Sequence, residues 1–410
     1  MATAHQDEAW ILADDFDPIT QFRDSVAGDV RDPYPEFARK RREEPIEKME
    51  LGGAALGMPE FGFVVYRRDD VERVLRDNET FSSASIRDLM SPVMGEYVLV
   101  GLDEPEHRRH RALVSPAFRN KMLSRWETEL MGNVMHELID RFADRGQAEL
   151  VREYTFHFPV QVIGAILGVP REGYLKFHQW AVDVINYAHD PDRGIASSKQ
   201  LVDLFEPIVG ARRSAPEDDL ISDLVTAEIE GERLSDEEIY SFLRLLLPAG
   251  AETTYRATGN FIFGLLTHPE QMASLRDDRS LMKAAVEESI RWEPPLLITA
   301  RTCTVDTELA GTPVPAGSVV VVNTGSANRD ETYWPDADSF DIHRAPGPHL
   351  SFGTGVHMCL GMNLARMEMG VAVNALLDRL PDLRLDPEAD DPHIHGQSFR
   401  SPTHLPVRFG

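Results

Sequence analysis

The sequence predicts a mainly α-helical fold with a small β-rich region. The longest helical pattern begins at a capping box, in which Ser235 caps the helix and Glu238 returns the hydrogen bond. This pattern continues to about Thr267, just before a proline. Short runs of apolar and β-branched residues at 61–65 and 319–322 predict strands. Helices therefore dominate, and the sheet is small.

The other elements follow from local periodicity and from their boundary residues. A helix is predicted at 35–42, with proline in its first turn, and another at 70–75, with an aspartate at its start. The stretch 81–100 has no clear periodicity and is expected to be a long loop. Further helices are expected at 103–111, 126–143, 158–167, 174–188, 199–212, 283–292 and 362–369. One more strand is expected at 296–301.

Length and composition limit the class of protein. The chain has 410 residues, but no Pro/Gly/Ser-rich linker divides it, so we expect one domain over 1–410, with residues 1–20 frayed. A formal net charge of −26 disfavours general binding to nucleic acid or to anionic membranes. No apolar run reaches the ~20 residues of a membrane span. Because two cysteines suit a reducing compartment, we expect a cytoplasmic protein, and we expect a monomer.

One loop stands out for its chemistry. Residues 351–361, Ser-Phe-Gly-Thr-Gly-Val-His-Met-Cys-Leu-Gly, place Cys359 among three glycines, which allow positive-φ turns. The helix predicted after the loop points free N–H groups toward Cys359, which is expected to favour a thiolate. Such a thiolate can serve as an axial ligand to haem iron. An isolated cysteine in a turn would more often be a buried free thiol.

The phrase Phe-x-x-Gly-x-His-x-Cys-x-Gly resembles the haem-ligand signature of the cytochrome P450 family. The resemblance implies that haem b lies between the long central helix and the helix after the cysteine loop. It implies that Cys359 is the axial ligand of the iron and that Phe352 packs beside the sulfur. It also implies that His357 reaches a haem propionate and that Gly361 belongs to the cofactor site. Microsomal members carry an apolar membrane anchor, and no apolar run of that length is found here. The chain therefore resembles the soluble, bacterial members.

Two further segments resemble the propionate-binding elements of that family. His107 and Arg111 are four residues apart, so they share one helix face. Arg301 ends the predicted apolar strand at 296–301. Without the resemblance, such charges would more often belong to a solvated surface. With it, all three are implied to contact the haem.

The middle of the long helix, residues 248–254, is Pro-Ala-Gly-Ala-Glu-Thr-Thr. Pro248 removes a helix hydrogen bond, so a local kink is expected, and a kink without chemical purpose is the simpler interpretation. However, Ala-Gly-x-Glu-Thr-Thr resembles the acid–alcohol pair of the P450 family, whereas Pro248 departs from the family pattern. The resemblance implies that Glu252 and Thr253 are catalytic. It also implies that the haem contacts Ala249 and Gly250.

A second pair on a predicted helix has a structural interpretation. Glu288 and Arg291 lie three apart on one helix face, where an ion pair usually contributes little stability. Members of the P450 family bury this Glu-x-x-Arg pair and tie it to the segment before the cysteine loop, which implies a structural role here. Arg344 or His349 is the third member, and the sequence does not choose between them.

The resemblance also implies the reaction, which is NAD(P)H-driven monooxygenation. One atom of O2 enters an organic substrate, and the other leaves as water. The candidate pocket residues are apolar or small, which favours a terpenoid, steroid, fatty acid or aromatic substrate. They are Met94, Leu246, Ala249, Leu296, Leu297 and Phe399. Without a visible flavin or iron–sulfur motif, separate electron donors are expected, namely a ferredoxin and its reductase.

Three questions about function stay open at this point. Arg108, Arg109, Arg119, Lys121 and Arg125 form a basic cluster that either docks an acidic ferredoxin or is ordinary surface charge. A peroxide-using haem-thiolate peroxygenase is one rival function, although such relatives typically replace the acid–alcohol pair. A haem sensor or ligand carrier is another, although no output domain is visible.

Overall fold

The computed structural model describes residues 30–50, 61–118 and 125–410 of the chain. Helices dominate and the sheets are small, which confirms the predicted fold class. The N-terminal elements are α1 (Tyr34–Glu43), β1 (Ile46–Glu50), β2 (Phe61–Val65), α2 (Arg68–Arg76), β3 (Phe81–Ser82), α3 (Ala84–Met94) and α4 (Glu106–Val114).

The middle of the chain is mostly helical. The elements are α5 (Gly132–Ile139), β4 (Gln147–Glu149), α6 (Phe158–Ile166), α7 (Tyr174–Ile185), α8 (Pro191–Ser214), α9 (Leu220–Thr226), β5 (Glu228–Ile229), β6 (Glu232–Arg233) and α10 (Asp236–Thr267). This part of the chain also contains two π-helical turns: Glu127–Met131 comes just before the helix α5, and Val151–Thr155 comes just before the helix α6.

The C-terminal part holds the strands that complete the sheets and the helix after the cysteine loop. Its helices are α11 (Pro269–Asp277), α12 (Met282–Trp292), α13 (Thr324–Asn328) and α14 (Met362–Arg379). Its strands are β7 (Ile298–Cys303), β8 (Thr307–Leu309), β9 (Thr312–Val314), β10 (Val319–Asn323), β11 (Arg384–Leu385), β12 (Ile394–His395), β13 (Ser401–Pro402) and β14 (Pro406–Arg408).

The largest sheet has the strand order β1-β2-β10-β7-β3. β10 pairs parallel with β2 and antiparallel with β7, which sets Arg301 opposite Val320. Buried apolar residues of β2, β10 and α2 pack into one cluster beneath this sheet. The register of this pairing therefore fixes the position along β7 from which the Arg301 side chain projects.

The central helix α10 begins as the sequence predicts. The Ser235 hydroxyl accepts a hydrogen bond from the Glu238 amide, and the Glu238 carboxylate accepts one from the Ser235 amide at 2.7 Å. The backbone is helical on both sides of Pro248. α10 packs against α6, α7 and α14, so its sides meet several other helices. Among the described residues, no helix combines the length and the apolarity that crossing a membrane requires.

The expected loop at 81–100 is wrong, because most of that stretch forms β3 and α3. Local periodicity is weak there, and the helix depends on tertiary contacts instead. The Ser83 amide donates to the Asp103 carboxylate at 2.8 Å just before the helix begins. At the other end, Val93 and Met94 are buried, and the Ser198 hydroxyl of α8 donates to the Val93 carbonyl at 2.6 Å.

Candidate active site

A cavity of about 360 Å³ lies between α10 on one side and the cysteine loop with α14 on the other. Its wall is mostly apolar, with a polar cluster at one end. Twelve of the site residues expected from the sequence line it: His107, Arg111, Leu246, Ala249, Gly250, Thr253, Leu296, Arg301, Phe352, His357, Cys359 and Gly361. Segments far apart in the chain therefore meet around one space.

Three of the expected pocket residues do not line this cavity. Met94 and Leu297 are buried in the protein interior instead. Leu297 occupies the space beside Gly325, where a Cβ would lie 2.5 Å from a Leu297 methyl carbon. Phe399 forms an isolated β-bridge with Leu296, and it is Leu296 that reaches the cavity.

Sequence reasoning also missed part of the apolar wall. These residues are Ile86, Val100, Ile163, Phe242, Leu245, Pro295 and Ile298. Ile86 and Val100 belong to the stretch that was expected to be a loop. Phe242 and Leu245 lie on α10 four residues before Leu246 and Ala249 respectively, so helical spacing could have predicted them.

The cysteine loop is held by its backbone. The Cys359 amide donates to the Phe352 carbonyl at 2.8 Å, which closes the loop. Gly353 and Gly355 have φ values of +69° and +75°. A Cβ at Gly355 would lie 2.8 Å from the Leu75 carbonyl oxygen, so no larger residue fits there. Gly361 differs, because it precedes α14 with φ of −85° and needs no left-handed conformation.

The expectation that the surroundings favour a Cys359 thiolate is wrong for the protein alone. The Cys359 side chain is accessible from the cavity. The protein around the cavity nevertheless shields the thiol from bulk water, and this desolvation raises its pKa. The backbone amides of Gly361 and Met362 and the guanidiniums of Arg111 and Arg366 act in the opposite direction without outweighing it. A bound metal ion deprotonates its thiol ligand, so a metal at this position would favour the thiolate that the protein alone does not.

Four cationic or potentially cationic side chains cluster at one end of the cavity: His107, Arg111, Arg301 and His357. Burial lowers the pKa of each group, and that of His357 falls to about 3 because the other three add their charge. The carboxylate of Asp103 is already bound by Ser82 and Ser83. The cluster therefore has excess positive charge, which an anionic ligand would offset.

His107 shows most directly that this cluster is incomplete. Its side chain is only 1 % exposed. Its Nδ1 lies 3.6 Å from Glu104, beyond hydrogen-bond distance, and neither ring nitrogen has a hydrogen-bond partner among the described residues. A buried unpaired donor is costly, so His107 is placed to bind a ligand that enters the cavity.

The acid and the alcohol expected on α10 face different surroundings. Thr253 lines the cavity, and its hydroxyl donates to the Ala249 carbonyl at 2.8 Å. Glu252 is outside the cavity wall and lies between His178 at 3.2 Å and Arg256 at 3.3 Å. Burial alone would raise the pKa of Glu252, but these two partners outweigh it and lower the pKa.

The structure also decides the question about the third member of the Glu288–Arg291 pair. Arg291 donates two hydrogen bonds to Glu288, at 2.7 and 2.8 Å, and Arg344 lies 3.2 Å from the same carboxylate. All three side chains are buried or nearly so. Arg291 also donates to the carbonyls of Ala337 and Ser339, which ties α12 to the segment before the cysteine loop.

His349 belongs to a separate ion network around Glu287. Glu287 accepts from Arg366 at 2.5 and 2.9 Å and contacts His349 at 3.2 Å. Arg366 in turn lies 4.6 Å from the centre of the Phe352 ring. Burial would raise the pKa of Glu287, but His349 and Arg366 hold it at about 2. Glu287, His349 and Arg366 do not line the cavity, but Arg366 packs on Phe352, which does.

The basic cluster is largely neutralised by carboxylates. Arg109 pairs with Glu232 and Glu238, and Arg125 pairs with Glu129 and Asp218. Arg108 has Glu104 at 3.1 Å, but its side chain remains 80 % exposed. Arg119 and Lys121 lie outside the described residues. Of the three described arginines, Arg108 is therefore the one most available to a partner.

Comparison with known proteins agrees with this geometry. The cytochrome P450 family model matches residues 183–405, which is more than half of the chain. The chain belongs to the cytochrome P450 family. The resemblance to this family seen in the sequence and the expected class of enzyme, an oxygen-incorporating oxidoreductase, are thereby confirmed.

Several relatives of this P450 with curated descriptions are bacterial. It is 37 % identical to mycinamicin IV hydroxylase/epoxidase from Micromonospora griseorubida, over 90 % of this chain and 94 % of the relative. It is 34 % identical to steroid C26-monooxygenase from Rhodococcus jostii, over 86 % of this chain and 77 % of the relative. The crystal structure of CYP109E1 from Bacillus megaterium with testosterone superposes with a TM-score of 0.83, at 31 % identity, over 92 % and 99 % of the two chains.

The P450 family implies a haem cofactor, and the residues of this cavity fit one. The Cys359 sulfur faces the space, the polar end has excess positive charge, and His107 has unpaired ring nitrogens. Haem carries two propionate groups, whose negative charge such a cluster would offset. The apolar wall between these two sites suits the apolar macrocycle.

Proposed function

We propose that this P450 inserts one atom of O2 into a small-to-medium apolar organic substrate, with haem b as its cofactor. The observation that carries this proposal is the arrangement of the cavity. Cys359 faces it from the loop, and a wall of Ile163, Leu246 and Leu296 with the Thr253 hydroxyl faces it from the other elements. An apolar wall with few polar groups is typical of a site for an apolar molecule.

Each cofactor-binding residue has one task in this proposal. Cys359 holds the iron, which with thiolate ligation supplies the oxygen-activating chemistry when haem is bound. His107, Arg111, Arg301 and His357 hold the propionates and so fix the orientation of the ring. Phe352, pressed by Arg366, keeps water away from the sulfur. Gly361, Ala249 and Gly250 leave space because their side chains are small or absent.

Thr253 and Glu252 have tasks that concern protons. The Thr253 hydroxyl can donate and accept at the cavity, so it orients water and oxygen there. Glu252 is charged and lies outside the cavity wall. It can therefore relay protons to the cavity only when it separates from His178 or Arg256. Removing Thr253 therefore affects control of protons more directly than it affects haem or substrate binding.

The electrons come, in this proposal, from NAD(P)H through a ferredoxin and its reductase. An acidic donor is attracted to exposed positive charge on the side of Cys359. The exposed Arg108 and the half-buried Arg111, which donates to the Met358 carbonyl at 2.6 Å, supply such charge. Because Arg109 and Arg125 are already paired, Arg108 carries most of this attraction.

The substrate class follows from the wall and agrees with the names of the relatives. Among those relatives are a mycinamicin hydroxylase/epoxidase, a steroid monooxygenase and a methyl-branched lipid omega-hydroxylase. Steroids and methyl-branched lipids share a large apolar surface and few charges. We therefore propose a steroid, fatty acid, terpenoid or aromatic substrate rather than a charged metabolite.

A screen tests the proposal. The purified holoenzyme is titrated with testosterone, a branched fatty acid, a terpenoid and a macrolide, and the spin state of the haem is followed by absorption. Compounds that shift the spectrum are incubated with NADH, ferredoxin and reductase under ¹⁸O2, and the mass of the product is measured by mass spectrometry. Incorporation of one labelled oxygen atom supports the proposal. Turnover with peroxide alone and none with reductase would instead indicate a peroxygenase.

A further inference from the structure

Arg256 of α10 lies outside the cavity wall, one helical turn after Glu252. Its side chain is buried, and its guanidinium has partners on two different elements. One nitrogen donates to the Glu252 carboxylate at 3.3 Å, and another donates to the Ser401 hydroxyl of β13 at 3.0 Å. Arg256 therefore connects the charged acid of the central helix to the C-terminal part of the chain.

The segment just before Ser401 is bonded to the cavity wall. Pro295 and Leu296 line the cavity. The Pro295 carbonyl accepts from the Arg400 amide at 2.9 Å, and Leu296 forms a β-bridge with Phe399. Because backbone contacts hold the two segments together and a packed interior transmits strain, displacement of this part of the wall also displaces Ser401.

The position of the Arg256 guanidinium is a compromise between its partners. Charge-assisted N–H···O bonds are ordinarily about 2.7–2.9 Å long. The bond from Arg256 to Glu252, at 3.3 Å, is therefore stretched. The guanidinium carbon also lies 4.7 Å from the centre of the Tyr255 ring and 5.6 Å from that of the Phe399 ring. Since charges interact strongly where water is excluded, a small shift of the guanidinium alters its attraction to Glu252.

The other partner of Glu252 has no such connection to the wall. The second carboxylate oxygen lies 3.2 Å from Nε2 of His178, whose ring stacks on Phe156 with 4.0 Å between the ring centres. Burial would raise the pKa of Glu252, and the charges of His178 and Arg256 both act to lower it. A shift of Arg256 therefore changes how strongly the carboxylate form of Glu252 is favoured.

We propose that Arg256 is a positioning residue, which couples the filling of the apolar cavity to the charge surroundings of Glu252 through Ser401. The inference rests on the proposed monooxygenase function, in which Glu252 is the acid. A molecule seated against Leu296 displaces Phe399 and the residues after it. The Arg256 guanidinium then moves relative to Glu252. Because coupling between two sites is reciprocal, a change at Glu252 must also alter the affinity of the cavity for an apolar ligand.

The competing interpretation is that Arg256 only neutralises the buried charge of Glu252. Arg256→Lys distinguishes the two, because lysine keeps the positive charge but presents one ammonium group instead of a fork that reaches two partners. Ser401→Ala leaves the Glu252–Arg256 pair in place and removes the hydroxyl that Arg256 contacts. Thr258→Val is the matched control, because its buried hydroxyl on α10 donates to the Thr254 carbonyl, outside the cavity wall.

The first measurement is the affinity of the holoenzyme for clotrimazole, an apolar azole whose nitrogen binds haem iron, followed by the shift of the Soret band. Glu252→Gln should change the dissociation constant about fivefold or more in the parent, the usual size of coupling between sites. With Arg256→Lys or Ser401→Ala already present, the same change should be less than about twofold. With Thr258→Val present, it should remain complete. An equal effect of Glu252→Gln in every background would overturn the proposal.

Infrared difference spectroscopy, between the free and the clotrimazole-bound holoenzyme, tests the same link from the side of the acid. The parent should show a change in a carboxylate band, which Glu252→Gln removes. The change should shrink in Arg256→Lys and Ser401→Ala and persist in Thr258→Val. No Glu252 band change in the parent, or an undiminished one in Arg256→Lys, would contradict the coupling.

The variants differ in how much they disturb the fold. If Arg256→Lys does not bind haem, Ser401→Ala decides, because it leaves the buried ion pair intact. Neither measurement requires turnover. Failure of the parent to form oxygenated product would therefore contradict the proposed function, whereas loss of the clotrimazole effects would contradict the role of Arg256.

Discussion

The two walls of the cavity are built in different ways. The loop wall is set by its backbone: Gly355 fits against Leu75, and the Cys359 amide closes the loop on the Phe352 carbonyl. The helix wall is set by which side chains α10 turns inward, so Thr253 lines the cavity whereas Glu252 does not. The loop wall therefore holds one atom, the Cys359 sulfur, in a fixed position, whereas the helix wall presents side chains that can be substituted one at a time.

The largest effect is expected at Cys359. In Cys359→Ser the reduced, CO-bound protein should lose the absorption typical of thiolate ligation, and product formation should fall to background, because the hydroxyl is a poor iron ligand. Cys303→Ser is the control, since Cys303 is buried in β7 and its thiol donates to the Val305 carbonyl. An unchanged spectrum in Cys359→Ser would show that another residue holds the iron.

The next largest effect is expected in the support of the loop wall. Glu288→Gln should lower the free energy of unfolding of the holoenzyme by about 3–5 kcal/mol, because it leaves Arg291 and Arg344 without their buried counter-charge. Urea titration measures this. Glu36→Gln, at an exposed ion pair with Arg39, is the comparison and should change stability far less, because solvent screens this pair. Equal losses would contradict the buried role.

Acid should weaken the loop wall through Glu287. Its pKa is about 2 in the folded protein, below the ordinary value of 4.5, so it contributes stability above pH 4.5. That contribution is lost as the pH falls from about 4.5 to about 2. The difference in unfolding free energy between the parent and Glu287→Gln should therefore be largest at pH 7 and shrink below pH 4.5. A constant difference would contradict this assignment.

A selective effect is expected at the helix wall. Thr253→Ala should retain haem and substrate binding but form roughly several-fold less product per NADH consumed, with more hydrogen peroxide, because protons are less controlled. Thr267→Ala is the matched control, because its hydroxyl makes the same kind of bond, to the Phe263 carbonyl at 2.8 Å, near the end of α10 and outside the cavity wall. An unchanged product ratio in Thr253→Ala would assign the role to another group.

The smallest effect is expected outside both walls, at Arg108. Arg108→Glu should slow reduction by ferredoxin, and more so at low salt, because screening is weaker there. Arg171→Glu reverses an exposed charge that pairs with Glu137 and should leave the rate unchanged. Stopped-flow absorption measures the reduction rate. If Arg108→Glu reduces as fast as the parent at low salt, the donor docks elsewhere.

The sequence alone predicted the geometry of features that depend on residues close together in the chain. The capping box at Ser235 depends on neighbours within three residues, so its spacing predicts its geometry. The glycines and the cysteine of the loop are also visible in the sequence, although the contact of Gly355 with Leu75 is not. The Glu288–Arg291 pair likewise follows from helix periodicity. The choice of Arg344 over His349 as its partner did not, because both lie on a segment whose path depends on the whole fold.

The direction in which the remaining side chains point, and the groups that surround them, depend on tertiary contacts. Leu297 looked like a pocket residue but fills the space beside Gly325, and the stretch 81–100 forms a helix because distant residues hold its ends. The charge states of Cys359 and Glu252 depend on burial and on partners distant in sequence. Sequence determines which groups are present and how they repeat; desolvation and pairing, which set their chemistry, exist only once the chain is folded.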